Sequence, residues 1–390
     1  MLNTSLQSTF DLAGYKTFGL ETMPVQTGRT SPQPTTGPLM QGGPQKGNLM
    51  MTFRMNMMGA GALALSLTAG SSAALAQAEF FKDKTVNIYV GYSTGGGYDV
   101  YARMLSRFYG RHIPGNPTVI VTNMPGAGSL RAANYIYNVA PKDGTAIGTV
   151  ARGAAFDPLF GLPGTQFDAT KYNWIGSAND EVSVCVAWHT SEVKNYNDLI
   201  TKELIVGGTG GSADTDQFPR VLNGVLDTKM KVIIGYPGGN DVNLAMERGE
   251  VQGRCGWSWS SVKSTQQKWL DDKKINVIVQ LSMAKHPDLP NVPSVMDAAK
   301  TDEQKQILKL IFARQVMGRP FMAPPNVPAD RVKALRDGFW ATMHDKEFLE
   351  ETDKAKLEIT PVKGEEIQQV VVDSYKVSAE IAKKAGDLIK

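Results

Sequence analysis

The sequence predicts an α/β protein, and three observations carry that expectation. Short runs rich in β-branched residues alternate with amphipathic helical stretches along most of the chain, the pattern of strands packed under helices. Glycine turns follow a strand and precede a helix at 95–97, 126–128, 207–211 and 238–239. The first of these units run in βαβαβ order, which calls for a parallel sheet with helices on its faces.

In chain order, the first strand starts at Thr85 and runs into the turn Ser93-Thr94-Gly95-Gly96-Gly97-Tyr98-Asp99. The helix behind it sets Tyr101, Met104, Leu105 and Phe108 on one face, a spacing that buries a stripe. Pro117 to Thr122 reads as the second strand and Asn123 to Ser129 as the second glycine turn. The next helix carries Leu130, Ala133, Tyr137 and Ala140 on one side, and Ala146 to Ala151 is the third strand. Strands follow at Trp174 to Ser177, Val182 to Trp188 and Glu203 to Val206, with a short helix at Tyr196 to Thr201. A helix around Phe218 to Leu226 follows the turn Gly207 to Ser212, and Lys231 to Tyr236 is a strand. Asp241 is expected to cap a helix ending at Arg248. Val251 to Cys255 and Ile275 to Leu281 are further strands, and polar, proline-rich Ser282 to Pro293 reads as a connection. The last third turns helical, at Thr301 to Phe312, at Pro328 to His344 with Pro328 in or near the first turn, and after Lys363-Gly364-Glu365-Glu366.

The opening glycine turn admits two readings. Glycines let the backbone come close to a ligand. The helix N-terminus behind them offers free N–H groups and the positive end of the helix dipole, which together make an anion site. The alternative is a tight turn capped by Asp99. Four such turns let several helix N-termini converge on one cleft, which in open α/β sheets lies beyond the carboxyl ends of the strands.

The formal net charge is +3. Residues 1–76 hold four basic and two acidic side chains, so +1 remains without them. That balance leaves no basic field for nucleic acid or a membrane surface. Residues 1–49 show no apolar period and read as a disordered extension, or as the product of a start placed upstream of Met50 or Met51. After them come a basic Arg54, an apolar run from Met57 to Ala69 and the small-x-small site Ala74-Leu75-Ala76. These are the parts of a secretory signal peptide over 50–76, cleaved near Ala76 or Ala78, and they place the mature chain in the periplasm. Cys185 and Cys255 are then either a disulfide or two buried thiols.

Enzyme signatures are weak. Gly208 to Ala213 fits G-x-G-x-x-A, but Asp227 precedes the next strand where a dinucleotide site needs an acid at its end. His112, His189, His286 and His344 lack metal-ligand spacing, and Cys185 and His189 would align only on a helix. Ser258 and Ser260 leave an extracytoplasmic hydrolase as a distant alternative. No catalytic residue, metal or cofactor is expected. Arg152 and Arg254 each follow a strand, where a guanidinium can meet a ligand carboxylate or form a structural ion pair. Arg152 is preferred over Arg254 as the ligand contact.

The run GGGYDVYARMLSRFYGRHIPGNPTVIVTNMPGAGSLRAANYIYNVAPKDGT, Gly95 to Thr145, strongly resembles the substrate-binding proteins of tripartite tricarboxylate transporters, the Bug-type receptors. GGTGGSADTDQFP from Gly207, YPGGNDVNLAMERGEV from Tyr236, HPDLPNVPSV from His286 and APPNVPADRVKALRDGF from Ala323 resemble them too. The likeness extends over nearly all of the mature chain. The extension at 1–49 and the segment Arg254-Cys255-Gly256-Trp257-Ser258-Trp259 depart from it.

This resemblance implies a type II periplasmic-binding-protein fold, with 79–180 and 285–390 as one α/β domain and 181–284 as the other. Hinges are expected near Asn179 to Ser183 and Leu281 to Pro287. A small di- or tricarboxylate would bind between the domains, and the receptor, a monomer, would hand it to membrane permease subunits. A sensor feeding a signalling partner is the alternative. The implied ligand residues are Tyr92, Ser93, Gly95, Gly96, Gly97 and Asp99 in the first loop, and Arg152 with Gly153. From the second domain come Gly208, Thr209, Gly210, Gly211 and Ser212, with Thr215 and Asp216 behind them and Tyr236 and Gly238 beside them. The first loop is expected to face the Gly208 to Ser212 loop.

Overall fold

In a computed structural model, which describes residues 79–390, the chain builds two β-sheets. The extension at 1–49, the signal peptide at 50–76 and its cleavage points lie outside the described residues. The first sheet holds β1 (Thr85–Val90), β2 (Thr118–Asn123), β3 (Ala146–Thr149), β4 (Asn173–Ser177), β10 (Pro320–Ala323) and β11 (Val362–Lys363), in the order β11-β4-β10-β3-β1-β2. The second holds β5 (Ser183–Trp188), β6 (Leu204–Gly208), β7 (Met230–Ile234), β8 (Gly253–Ser258) and β9 (Ile275–Leu281), in the order β7-β6-β8-β5-β9. Both belong to one compact unit of the chain.

The βαβαβ expectation holds at the start. β1 pairs in parallel with β2 and β3, with Ile88 opposite Val121 and Ile147. β10 then joins antiparallel to β3 and β4, so the complete sheet is mixed. The second sheet is mixed too: β6 is parallel to β7 and β8, while β5 is antiparallel to β8 and β9. Along β1, Val86, Ile88 and Val90 are fully buried, the period-2 pattern of a strand covered on its core face.

The longer helices are α1 (Gly97–Tyr109), α2 (Leu130–Asn138), α3 (Asp214–Leu226), α4 (Gly239–Glu247) and α5 (Trp259–Asp271), then α6 (Asp302–Phe312), α7 (Ala329–Met343), α8 (Lys346–Lys354), α9 (Gly364–Ser374) and α10 (Ala379–Ile389). On α1 the expected stripe is the buried one at Tyr101, Leu105 and Phe108, with Met104 half-buried beside it. α6 begins with a capping box between Thr301 and Gln304. α3 starts at Asp214, a full turn before the expected Phe218, so Thr215 and Asp216 are helical residues.

Two expectations about chain path need correction. β9 ends at Leu281, but the chain does not cross back at 281–287. The Gln280 side chain donates to the carbonyls of Leu289 (3.0 Å) and Val292 (2.7 Å), and its own backbone N–H donates to Pro293 O (2.9 Å). These bonds hold the proline-rich connection against the second sheet. The return runs later, through 313–319, where Gln315 donates to Leu281 O and accepts, through its carbonyl, the Glu181 N–H (2.8 Å). The second correction concerns α6 and α10, which pack on α3. Gln304 donates to Val225 O (2.7 Å), and a Cβ on Gly224 would stand 2.1 Å from the Leu388 side chain. The apolar faces of these two helices therefore cover a second-sheet helix, although both lie within 285–390.

Candidate ligand-binding site

Loops from the two sheets meet in two pairs. In the first, Ser93 donates its N–H to Pro237 O (3.2 Å) and its hydroxyl to Asp241 (2.7 Å), with Asn240 Oδ1 at 3.1 Å. In the second, Gly128 donates its N–H to Thr209 O (3.0 Å). Gly128 and Gly210 have φ of +68° and +130°, and a Cβ on either would stand within 2.6 Å of the other's backbone. Only glycine combines that backbone with that approach. The opening turn thus faces Gly238 to Asp241, and the Gly208 to Ser212 loop faces the second glycine turn, which is an exchange of the expected partners.

Asp99 lies in the first turn of α1 behind an N-cap at Gly96, so it is not the capping residue. Its carboxylate accepts from Gly95 N–H (2.9 Å), Arg103 Nε (2.9 Å) and Asn123 Nδ2 (2.8 Å). Burial works to raise its pKa, but these bonds outweigh it and hold the group below the usual carboxylate value. It orders the glycine turn from behind.

Between the sheets lies a pocket of about 140 Å³. Four helices begin at its wall: α1 at Gly96 to Tyr98, α3 at Ala213 to Thr215, α4 at Gly239 and Asn240, and α5 just after Ser258. Their first-turn N–H groups and dipole ends favour an anion there. The convergence expected from four glycine turns is present in altered form. The turn at 126–128 supplies a loop contact, and α5, which no glycine turn announces, takes the fourth place.

Comparisons with known proteins agree with this architecture. No family model matches the chain. A Cupriavidus necator protein described as "UPF0065 protein in gbd 5'region" is 25% identical over 345 residues, which is 84% of this chain and 95% of that protein. The chain is similar to that protein along most of its length. Solved structures share the fold. The periplasmic binding protein BugD superposes with a TM-score of 0.64 at 19% identity, over 78% of this chain and 99% of BugD. MatC from Rhodopseudomonas palustris, solved with bound malate, gives 0.59 at 16% identity, over 79% and 99%.

In this chain the expected site residues separate into three groups. Tyr92, Gly95, Gly96, Gly97, Arg152, Thr209 and Thr215 stand at the pocket wall. Gly210, Gly211 and Tyr236 line an outer hollow instead, which Thr209 also borders. The others act from behind. Gly238 packs on Ser93, Gly208 on Val232, and Gly153 on Arg314 and the Ser212 carbonyl. Asp216 pairs with Arg220 at 3.4 Å. The wall also holds Tyr98, inside the expected first loop, and Asp214, Asn240, Asn243, Ser261 and Arg319, which lie outside the expected set. Asp214 and Asn240 adjoin expected positions, whereas nothing local marks Arg319, just before β10.

The arginines differ in whether a carboxylate faces them. Arg152 is buried, with Nε 3.0 Å from Asp214 and Nη2 2.5 Å from Ser258 Oγ. Burial opposes its charge, but Tyr98, Asp214 and Glu181 outweigh that and raise its pKa. Arg319 donates to Ser261 (2.6 Å) and Ser258 (2.9 Å) and lies 3.4 Å from Glu181. Arg314, behind the pocket, donates to Gln217 (2.5 Å) and lies 3.5 Å from Asp214. Arg254 has no carboxylate partner among the described residues. Its Nη1 donates to Gly239 O and Asn243 Oδ1, both at 3.1 Å, and its guanidinium lies 4.6 Å from the Trp257 ring centroid. Desolvation pushes its pKa down to about 9, against Tyr92 and with the like charge of Arg319. Arg254 therefore remains protonated at neutral pH.

Ser258 is an acceptor for two guanidinium groups, and Ser260 donates to Glu181 (2.5 Å). Both hydroxyls thus belong to the arginine network. Cys185 and Cys255 lie on the neighbouring strands β5 and β8, fully buried, with their sulfurs in bonding contact one residue from Arg254.

Proposed function

We propose that this chain is a periplasmic receptor that captures a small organic carboxylate between two α/β domains and delivers it to the membrane permease subunits of a tripartite tricarboxylate-type transporter. One observation carries the reading: four helix N-termini and three arginines surround a single small pocket, in a chain of Bug/TctC type. MatC, of the same fold, was solved with malate. The ligand residues are proposed to be the pocket-wall members of the expected set, namely Tyr92, Gly95 to Gly97, Arg152, Thr209 and Thr215, joined by Asn240, Asn243, Arg254 and Arg319. The two domains are proposed to close on the ligand about the crossings at 178–182 and 313–319. Export through the signal peptide over 50–76 places the receptor where substrate enters.

A ligand that binds only the folded state raises its stability by mass action. Thermal unfolding of the mature protein with a panel of organic acids, at concentrations up to 1000-fold over Kd, should raise the midpoint for at least one acid by several degrees. Stabilisation by sugars or amines, with none from any acid, would contradict the proposal.

A further inference from the structure

Three guanidinium groups line the pocket, and two of them already face a carboxylate. Arg152 meets Asp214 at 3.0 Å and Arg319 meets Glu181 at 3.4 Å. Arg314 shares Asp214 at 3.5 Å and reaches Asp157 through Gln217, which accepts from Arg314 and donates to Asp157 (3.2 Å). Arg254 is the remainder. It is half-buried at the pocket wall, held by two neutral acceptors, and its Nε has no partner. A desolvated cation without a counter-charge is unfavourable until an anion arrives.

We propose that the pocket selects a small organic acid carrying one negative charge, with its carboxylate on Arg254 beside the first turn of α4. A second carboxylate would meet Arg152 and Arg319 already neutralised by Asp214 and Glu181, and would be desolvated without a free cation to receive it. The volume agrees: about 140 Å³ is close to the roughly 150 Å³ engineered cavity that takes up benzene. The uncharged remainder of the ligand contacts Tyr92, Tyr98 and Trp257 and the hydroxyls of Thr209 and Thr215 at the same wall. This assignment rests on the carboxylate-receptor reading and narrows it.

The test is titration calorimetry of the mature protein, at neutral pH, with matched pairs of acids: lactate against malate, butanoate against succinate, and hexanoate against adipate. In the tightest pair the monoacid should bind at least 10-fold better than its diacid. Arg254→Gln should weaken that monoacid at least 30-fold, about 2 kcal/mol at 1.4 kcal/mol per tenfold. The ligand-free variant should unfold at the same temperature as the wild type or higher, because a half-buried cation without a counter-charge has been removed. Tighter binding of the diacids would overturn the single-charge assignment while leaving the carboxylate receptor intact. Absence of binding by every acid would overturn both. Unchanged affinity in Arg254→Gln would remove Arg254 from the site. Should that variant fail to fold, the wild-type pairs decide the question alone.

Discussion

The Ser93 hydroxyl donates to Asp241 at 2.7 Å, joining the turn after β1 to the first turn of α4. With the Ser93 N–H on Pro237 O, it fastens two sheets at the rim of the pocket. Ser93→Ala keeps the backbone bond and removes the side-chain one. A part-buried hydrogen bond to a charged group contributes about 1.5–3 kcal/mol. If the closed arrangement is the binding-competent one, affinity falls with its population. Calorimetry should show the best acid binding about 10-fold more weakly, with the melting temperature of the free protein little changed. Equal affinity would mean the contact does not help to hold the closed form.

Neighbouring glycines of the opening turn should respond differently to the same change. A Cβ on Gly96 makes ordinary contacts with Asn240 Oδ1 at 3.5 Å and Gly239 N at 3.9 Å, whereas one on Gly97 would stand 2.0 Å from Ser261 Oγ and 3.1 Å from the Arg319 guanidinium. Gly96→Val should therefore fold and melt like the wild type but bind acids poorly, since its methyls enter the pocket. Gly97→Ala should lose stability as well, by about 1–3 kcal/mol for an overpacked site. Denaturant unfolding alongside calorimetry separates the two effects.

Asp157 should mark the pH dependence of stability. It is fully buried. Burial lifts its pKa to about 7, against Ser212, Arg314 and Gln217, with Asp214 adding to the rise. Its unfolded value is near 3.9. Between those two values the folded state binds more protons than the unfolded state, so this group's contribution falls as pH rises from about 4 to 7 and then levels off. Asp157→Asn should remove that slope. Urea unfolding at pH 5 and pH 7.5 should show wild type losing at least about 1 kcal/mol more than the variant across the interval, since one pKa unit is about 1.4 kcal/mol. Parallel pH profiles would contradict the assignment.

Cys185 and Cys255 should be oxidised in protein purified without reductant. Mass spectrometry after alkylation under denaturing conditions should find no free thiol until reductant is added. Because the pair fixes β8 beside Arg254, reduction should also lower the melting temperature, in line with the roughly 2–5 kcal/mol lost with a native disulfide. Two alkylated cysteines before reduction would show a pair of free thiols.

The sequence reading succeeded where the signal was local. The turn at Gly95 to Gly97, the stripe of α1 and strands such as Ile275–Leu281 were legible because glycine spacing and apolar period mark them directly. It failed where long-range contacts decide. The return crossing is displaced to 313–319 because the Gln280 side chain holds 286–293 against β9, and nothing in the local pattern announces that bond. α5 was missed because β8 runs into Trp259 without a glycine break. Short β10, which opens with Pro320, carries almost no strand signal. The choice between Arg152 and Arg254 turned on where Asp214 lies, at the start of a helix on the other sheet. Two arginines that look alike in the sequence thus differ in the one respect that matters to an anionic ligand, whether an acid already faces them.

The central claim is that a small carboxylate occupies the pocket at the meeting point of α1, α3, α4 and α5. A crystal structure of the mature protein grown with cell extract tests it most directly. Density for an organic acid is expected in the pocket, with its carboxylate in hydrogen-bonding contact with Arg254 and the first turn of α4. A neutral or cationic molecule in that position, or an acid bound elsewhere while the pocket holds only water, would contradict the account.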